Sequence, residues 1–219
     1  MNHLSAGRFL SFVAALAALF LSGCASDRVI DTSRTFKKVV IDAGHGGYDD
    51  GAKTRYAGKE KDLALDVALR VRAKLENAGF DTVMTRKSDI FIALDKRAAI
   101  SNRQSNSIFV SIHFNYSPNG SIRGSEVYYK SRCSVRIADN ILTQIAAIPG
   151  FSHRGVRSAN FRVLKKNRYP AVLVECGFLT NPSEGRRCSD GGAREALADA
   201  IVRGIVIQRH GGNTMVAAN

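Results

Sequence analysis

The sequence predicts an α/β fold: one domain on a mostly parallel, twisted sheet of about six strands with helices on both faces. Three observations carry that prediction. Short, continuous apolar runs such as Val39-Val40-Ile41, Ile108-Phe109-Val110 and Ala171-Val172-Leu173-Val174 read as strands buried on both sides. Helical patterns alternate with them along the chain. No internal repeat or second compositional block interrupts the 219 residues, a length that suits one domain with a sizeable core.

Residues 1–23 read as a signal peptide. Arg8 stands in an acid-free start, and residues 9–21 are apolar but too short to span as an ordinary transmembrane helix. Leu21-Ser22-Gly23-Cys24 resembles a bacterial lipobox, which implies cleavage before Cys24 and acylation of that cysteine. Several acyl chains on one residue would make a stable membrane anchor. Ala25, rather than Asp, follows the cysteine. By resemblance to diderm sorting rules, this implies a periplasm-facing lipoprotein of the cell envelope, at the outer membrane. Residues 24–35 are polar and read as a tether.

The domain proper is expected over residues 36–210. Residues 36–41 form the first strand, and 44–58 a loop rich in glycine and charge. Residues 60–78 form a helix, since Leu63, Val67, Val71 and Leu75 recur every four residues and Asn77-Ala78-Gly79 stops them. Residues 80–85 read as a strand, 94–103 as a helix and 107–113 as an apolar strand. Residues 124–129 alternate and so read as an edge strand, followed by a helix over 135–147. Residues 161–164 read as a short strand and 171–175 as a buried one. Asn181-Pro182-Ser183-Glu184 opens a turn or short helix, and 193–209 is the last helix. Residues 211–219 are expected to be a flexible tail.

The balance of 32 Lys+Arg against 19 Asp+Glu gives +13, and loss of residues 1–23 removes only Arg8. Such a charge suits an anionic partner. Export makes nucleic acid a poor candidate and leaves an anionic wall polymer or a lipid surface. With Cys24 assigned to lipid, Cys133, Cys176 and Cys188 remain. Cys176 and Cys188 are the expected pair, and no CxxC supports a cysteine-based zinc or redox site.

Three buried strands run into polar residues: Asp42 and His45 after the first, His113 at the end of the third, and Glu175 at the end of the 171–175 strand. Ligands of open α/β sheets bind beyond the carboxyl ends of the strands. Glu60 shares the apolar face of its helix, which opens at that same edge. Two histidines and a carboxylate on separate elements suit a catalytic zinc site with three protein ligands, and Glu175 would serve as general base. The spacings themselves are not diagnostic.

These residues lie in segments that resemble the zinc-dependent N-acetylmuramoyl-L-alanine amidases of the amidase-3 type. The segments are Val40-Ile41-Asp42-Ala43-Gly44-His45-Gly46-Gly47, Glu60 opening a helix, Ser111-Ile112-His113-Phe114-Asn115 and Val174-Glu175-Cys176-Gly177-Phe178-Leu179-Thr180-Asn181. Arg154-Gly155-Val156, Ala159-Asn160-Phe161 and Val163-Leu164 add to the likeness. The resemblance implies one zinc ion on His45, Glu60 and His113, with Glu175 catalytic. It implies cleavage of the amide between muramic acid and L-alanine in peptidoglycan. Asn115 and Arg154 become candidates for substrate binding. Phe114 departs from the usual alanine. Some relatives carry an inhibitory helix between the second histidine and the last strand; here strand, helix and loop account for that interval, so an accessible site is expected. The activator, if one exists, is unknown. A different envelope zinc peptidase, or a non-catalytic peptidoglycan-binding lipoprotein on the same scaffold, are the readings left open.

Overall fold

The computed structural model describes residues 29–211; the expected signal peptide, Cys24 and residues 212–219 lie outside them. The elements run β1 (Lys38–Ala43), β2 (Lys53–Thr54), β3 (Gly58–Lys59), α1 (Glu60–Asn77), β4 (Asp81–Met84), α2 (Leu94–Asn102), β5 (Ser107–Asn115) and β6 (Ser125–Tyr129). A 3-10 turn (Arg132–Ser134), α3 (Val135–Ala146), β7 (His153–Ser158), α4 (Arg162–Lys165), β8 (Ala171–Phe178), α5 (Pro182–Ser189) and α6 (Gly191–His210) complete the domain.

Six strands form one sheet in the order β4-β1-β5-β8-β6-β7. β4, β1, β5 and β8 are mutually parallel, whereas β6 pairs antiparallel to β8 and carries β7 parallel to itself. The sheet is therefore mostly parallel, with helices on both faces. One layer is thick: α1, α3 and α6 bury Leu63, Val67, Val71, Ile141 and Ile201 against Ile41, Ile112 and Val174. The other is thin. There Val163 and Leu164 of α4 pack on Val40, Phe109, Ala171 and Leu173. Position 111 on that side is serine and position 113 histidine, so the thin face turns from apolar to polar toward the carboxyl edge of the strands.

Local chemistry explains the boundaries. α1 ends as the Ala78 N–H bonds back to Lys74 O at 3.0 Å and Gly79 takes φ +82°. Asn181 caps α5, its side chain accepting from the Ser183 and Glu184 N–H groups, with proline at the first helical position. Asp190 caps α6 in the same way through Ala193 N. Within α6, a Cβ on Gly204 would lie 2.5 Å from Ile141 Cα, so only glycine lets α6 approach α3 this closely.

The structure corrects three expectations and adds a strand. β6 is not an edge strand; it lies between β8 and β7, and β7 forms the edge. β7, His-Arg-Gly-Val-Arg-Ser, has no apolar run because it is largely exposed, which is why pattern reading passed over it. Residues 161–164 do not form a strand. Val163 and Leu164 are both buried on the one thin face, which adjacent strand residues cannot do, and the segment is a helical turn held by Asn167 Nδ2 donating to Val163 O at 2.6 Å. Cys176 and Cys188 are free thiols buried in the apolar core rather than a disulfide, and burial pushes the Cys188 thiol up to about 12.

The carboxyl half of the stretch read as a tether is pinned to the domain. Ile30 N donates to Arg168 O, Thr32 Oγ1 to Ser107 O, and Gln208 Nε2 to Ser33 O.

Candidate metal and catalytic site

β1 delivers its chain into a glycine turn at the carboxyl edge of the sheet. His45 sits in that turn at φ 58°, a left-handed conformation that a non-glycine residue adopts at a cost. The turn is clamped from beneath by two arginines that are only 2% exposed. Arg86 donates to the carbonyls of Ala43 (3.0 Å), Gly44 (2.7 Å) and Lys61 (2.7 Å). Arg97 donates to those of Ile92 (2.7 Å), Ala43 (2.6 Å) and His45 (2.6 Å), and to Asp42 Oδ1 at 2.9 Å. Asp42 is 1% exposed and also accepts from Thr85 Oγ1 and Ser111 Oγ, each at 2.6 Å. The side-chain hydrogen bonds of this clamp are thus all charge-assisted.

Glu60, the first residue of α1, reaches over the sheet edge and is 4% exposed. Its Oε1 lies 3.0 Å from His45 Nε2 and 3.0 Å from His113 Nδ1. The Phe114 N–H donates to the same oxygen at 3.0 Å, and the Ala52 N–H to Oε2 at 2.9 Å. One donor atom from each of His45, Glu60 and His113 lies within 4.8 Å of the others. Glycine permits this crowding: a Cβ on Gly44 would stand 2.4 Å from the His113 ring, and one on Gly51 would stand 2.6 Å from Glu60 Oε2. Asp49 Oδ2, 2.9 Å from His45 Nδ1, orients that ring from behind, as an outer-shell carboxylate does for a ligating histidine.

The electrostatics describe a site built for a cation. Burial alone would lower the His45 pKa, but hydrogen bonds and charge from Glu60 and Asp49 override it and raise the group to about 9. His113 is likewise raised by Glu60 against its burial. Glu60 is held far below the usual carboxylate range, because the two imidazoles outweigh desolvation. Without a metal, protons on the imidazoles supply the positive charge that Glu60 requires. Two imidazoles and one carboxylate are the donor set of a three-ligand zinc site, so the residues fit that ion.

Glu175 stands beside this cluster as the strand neighbour of His113. One residue later β8 bulges, so that Asn115 pairs with Phe178 rather than with Gly177. Glu175 Oε2 is buried and has no hydrogen-bond partner. Burial first, then the nearby charges of Glu60 and Glu126, push its carboxyl up to about 7. An orphaned carboxylate oxygen beside a cation site is poised to take a proton from water or substrate.

The cluster opens into a cavity of about 580 Å³ lined by His45, Glu60, His113, Asn115 and Glu175, with Leu94, Tyr116 and Phe161 on its walls. Of the helices between His113 and Glu175, α3 packs on the thick layer and α4 lines one wall through Arg162 and Val163, and the His45 and His113 side chains stay 22% and 17% exposed. Phe114 lies in the core, 2% exposed, with its backbone N–H on Glu60. Asn115 lines the cavity with Nδ2 on Glu126 Oε2 at 3.0 Å. Arg154 does not line the cavity; its Nε lies 3.2 Å from Glu126 Oε1 on the neighbouring strand.

Sequence reading passed over Glu126. It is 4% exposed and sits directly across from Glu175 in the β6–β8 register. It gathers Asn115, Tyr128, Arg154 and Arg157 around one carboxylate. Its place two residues before Tyr128 in an alternating strand was the available signal. Asp49, at helical spacing from His45, was visible only as one charge in a charged loop. Arg86 and Arg97 gave none, since buried arginines are rare enough that exposure is the default expectation.

Comparison with known proteins adds to this geometry. The Amidase_3 family, N-acetylmuramoyl-L-alanine amidase, matches residues 39–206. The Bacillus subtilis protein YqiI is 38% identical over 173 residues, covering 77% of this chain and 83% of YqiI. The N-acetylmuramoyl-L-alanine amidase AmiA of Escherichia coli is 30% identical over 259 residues, covering 90% of each chain. Among solved structures, the amidase AmiC2 of Nostoc punctiforme superposes with a TM-score of 0.75 at 38% identity, over 77% of this chain and 94% of that one.

Proposed function

The chain belongs to the N-acetylmuramoyl-L-alanine amidase family, and from that premise we propose that it cleaves the amide joining N-acetylmuramic acid to L-alanine in peptidoglycan with one zinc ion and a glutamate base. His45, Glu60 and His113 would hold the ion. A zinc ion there supplies a Lewis acid for the scissile carbonyl and makes water a stronger acid.

The protein's own groups do the rest. Glu175, ionised, accepts a proton from the attacking water on Oε2. It then delivers that proton to the departing amide nitrogen as the C–N bond breaks, leaving a free L-alanine amine. Glu60, fixed by the Phe114 and Ala52 N–H groups, keeps the two imidazoles at a set separation. Asn115, held by Glu126, stands ready to hydrogen-bond substrate in the cavity. Arg154, outside the cavity on β7 and paired with Glu126, would meet a carboxylate of a stem peptide that extends beyond the cavity. Leu94, Tyr116 and Phe161 offer apolar walls against which substrate would pack in the cavity.

The observation that carries this reading is the unpartnered, buried Glu175 oxygen beside the His-Glu-His cluster. A scaffold kept only for binding would have no use for it. The chain's place in the cell follows from the signal-like start: an exported envelope lipoprotein, anchored at Cys24 and facing the periplasm from the outer membrane.

Glu175→Gln tests the mechanism. Digestion of purified peptidoglycan by the parent protein should release stems beginning with L-alanine, read by mass spectrometry. The variant should lose about two to four orders of magnitude in rate while keeping its zinc content. Full activity in the variant would remove Glu175 from the mechanism, and shortened stems from the parent would mark a peptidase instead.

A further inference from the structure

Six exposed basic side chains lie at the end of the domain opposite the site. Arg34 and Lys37 precede β1, and Arg103 ends α2 just ahead of β5. Lys166 and Arg168 precede β8, and Arg132 lies in the turn after the antiparallel β6. All six are exposed, and among the described residues none takes part in a salt bridge.

Hydrogen bonds gather these segments onto one surface. Lys37 N donates to Asn106 O, Asp81 N to Lys37 O, Ile30 N to Arg168 O, and Arg168 N to Asn102 Oδ1. Ala171 N, on Ser134 Oγ, ties the turn after β6 to the start of β8. Asp31, Asp81 and Glu76 are exposed acids there, Glu76 being held by Arg72 and Thr82. This is the edge where β1, β5 and β8 begin. His113 lies six residues further along β5, about 20 Å away at strand rise.

The chain also enters the domain at this pole. Only four residues lie between Cys24 and Val29, a span of five steps that reaches at most about 18 Å. A lipid on Cys24 would therefore hold the bilayer surface against the basic pole, and would point the cavity away from it. An anionic wall polymer is the competing occupant. The entry point of the chain decides between them, because the same pole cannot face both the membrane and the wall.

We propose that the pole formed by Arg34, Lys37, Arg103, Arg132, Lys166 and Arg168 docks on an anionic phospholipid surface, so that the catalytic cavity faces outward from the membrane. The proposal rests on the reading of Cys24 as the anchor. It gives part of the positive charge of the mature chain a partner, and it orients a domain that the acyl anchor alone would leave free to turn.

The test uses the chain from residue 24 onward with Cys24→Ser, which keeps the whole described domain and no acyl group. It is sedimented with phosphatidylglycerol-containing vesicles, with neutral phosphatidylcholine vesicles and with purified wall sacculi. Binding to the anionic vesicles alone, lost at high salt, is the expected result. Arg34→Glu/Lys37→Glu/Arg168→Glu should weaken it roughly a hundredfold. Lys87→Glu/Arg203→Glu/Arg186→Glu, an equal charge change elsewhere, should weaken it far less, with circular dichroism confirming both folds. Equal loss in the two variants, no anionic-vesicle binding, or a pole variant that loses only sacculus binding would each overturn the proposal. Mass spectrometry of residue 24 in the membrane-bound form reads the anchor separately, so an unacylated Cys24 would overturn that reading while the vesicle result still judges the docking.

Discussion

Arg97→Met isolates what the buried clamp beneath the His45 turn contributes. The substitution keeps most of the stem's volume and removes four hydrogen bonds: to Ile92 O, Ala43 O, His45 O and Asp42 Oδ1. Asp42, 1% exposed, is left with only the Thr85 and Ser111 hydroxyls. Removing one partner of a buried ion pair costs about 3–5 kcal/mol, because the other charge stays behind. For a domain of this size, each kcal/mol lowers the melting temperature by about 2–4 °C, so a fall on the order of 10 °C is expected by calorimetry. The His45 carbonyl is also freed, so the strained turn relaxes and zinc affinity should drop by about tenfold or more in a chelator competition. Adding Asp42→Asn should cost less than the sum of the single changes, since the stranded charge is gone. A loss below about 1 kcal/mol with unchanged zinc affinity would refute the clamp.

Three further outcomes follow from the same site. Gly44→Ala forces a Cβ to within 2.4 Å of the His113 ring, so zinc content measured by atomic absorption should fall even where the protein still folds; a fully loaded variant would show that His113 can move aside at no cost. Zinc uptake must displace the proton from His45, whose pKa in the metal-free protein is raised to about 9, so apparent affinity should weaken by up to about tenfold per pH unit as pH falls below that value, and pH-independent affinity would contradict the assigned charge state. As the proposed base, Glu175 must be ionised, so the rate should fall as pH drops through its pKa; about 7 is the metal-free value, a bound dication would move the acid limb of kcat/KM lower, and Glu126→Gln, by removing a like charge, should move it lower again.

The parts of the molecule that sequence reading reached are those where one physical signal dominates. β1, β5 and β8 are buried on both faces and so are written as continuous apolar runs. α1 carries an unbroken four-residue stripe. Because those strands are parallel, the polar residues at their ends had to meet at one edge, and His45, Glu60, His113 and Glu175 do. What escaped depends on partners distant in sequence. β7 is exposed and charged, so nothing in its residues separates it from a loop. The helical turn α4 is set by the shape of the thin face and not by its own four residues. Glu126 becomes part of the site only through its register opposite Glu175, and Arg86 and Arg97 only through carbonyls brought to them by another segment.

The place of β8 has a consequence for when the protein can act. Among the described residues it is the last strand, yet it fills the centre of the sheet between β5 and β6. A chain extended only to residue 170 has a gap where that strand belongs, with β5 and β6 each lacking a neighbour. It has both histidines and Glu60 but not the glutamate that would move protons. Hydrolysis therefore becomes available only when the final segment has slotted between two strands that precede it by tens of residues, a long-range pairing of the kind that forms slowly. An amidase assembled this way lacks its complete site until its core closes.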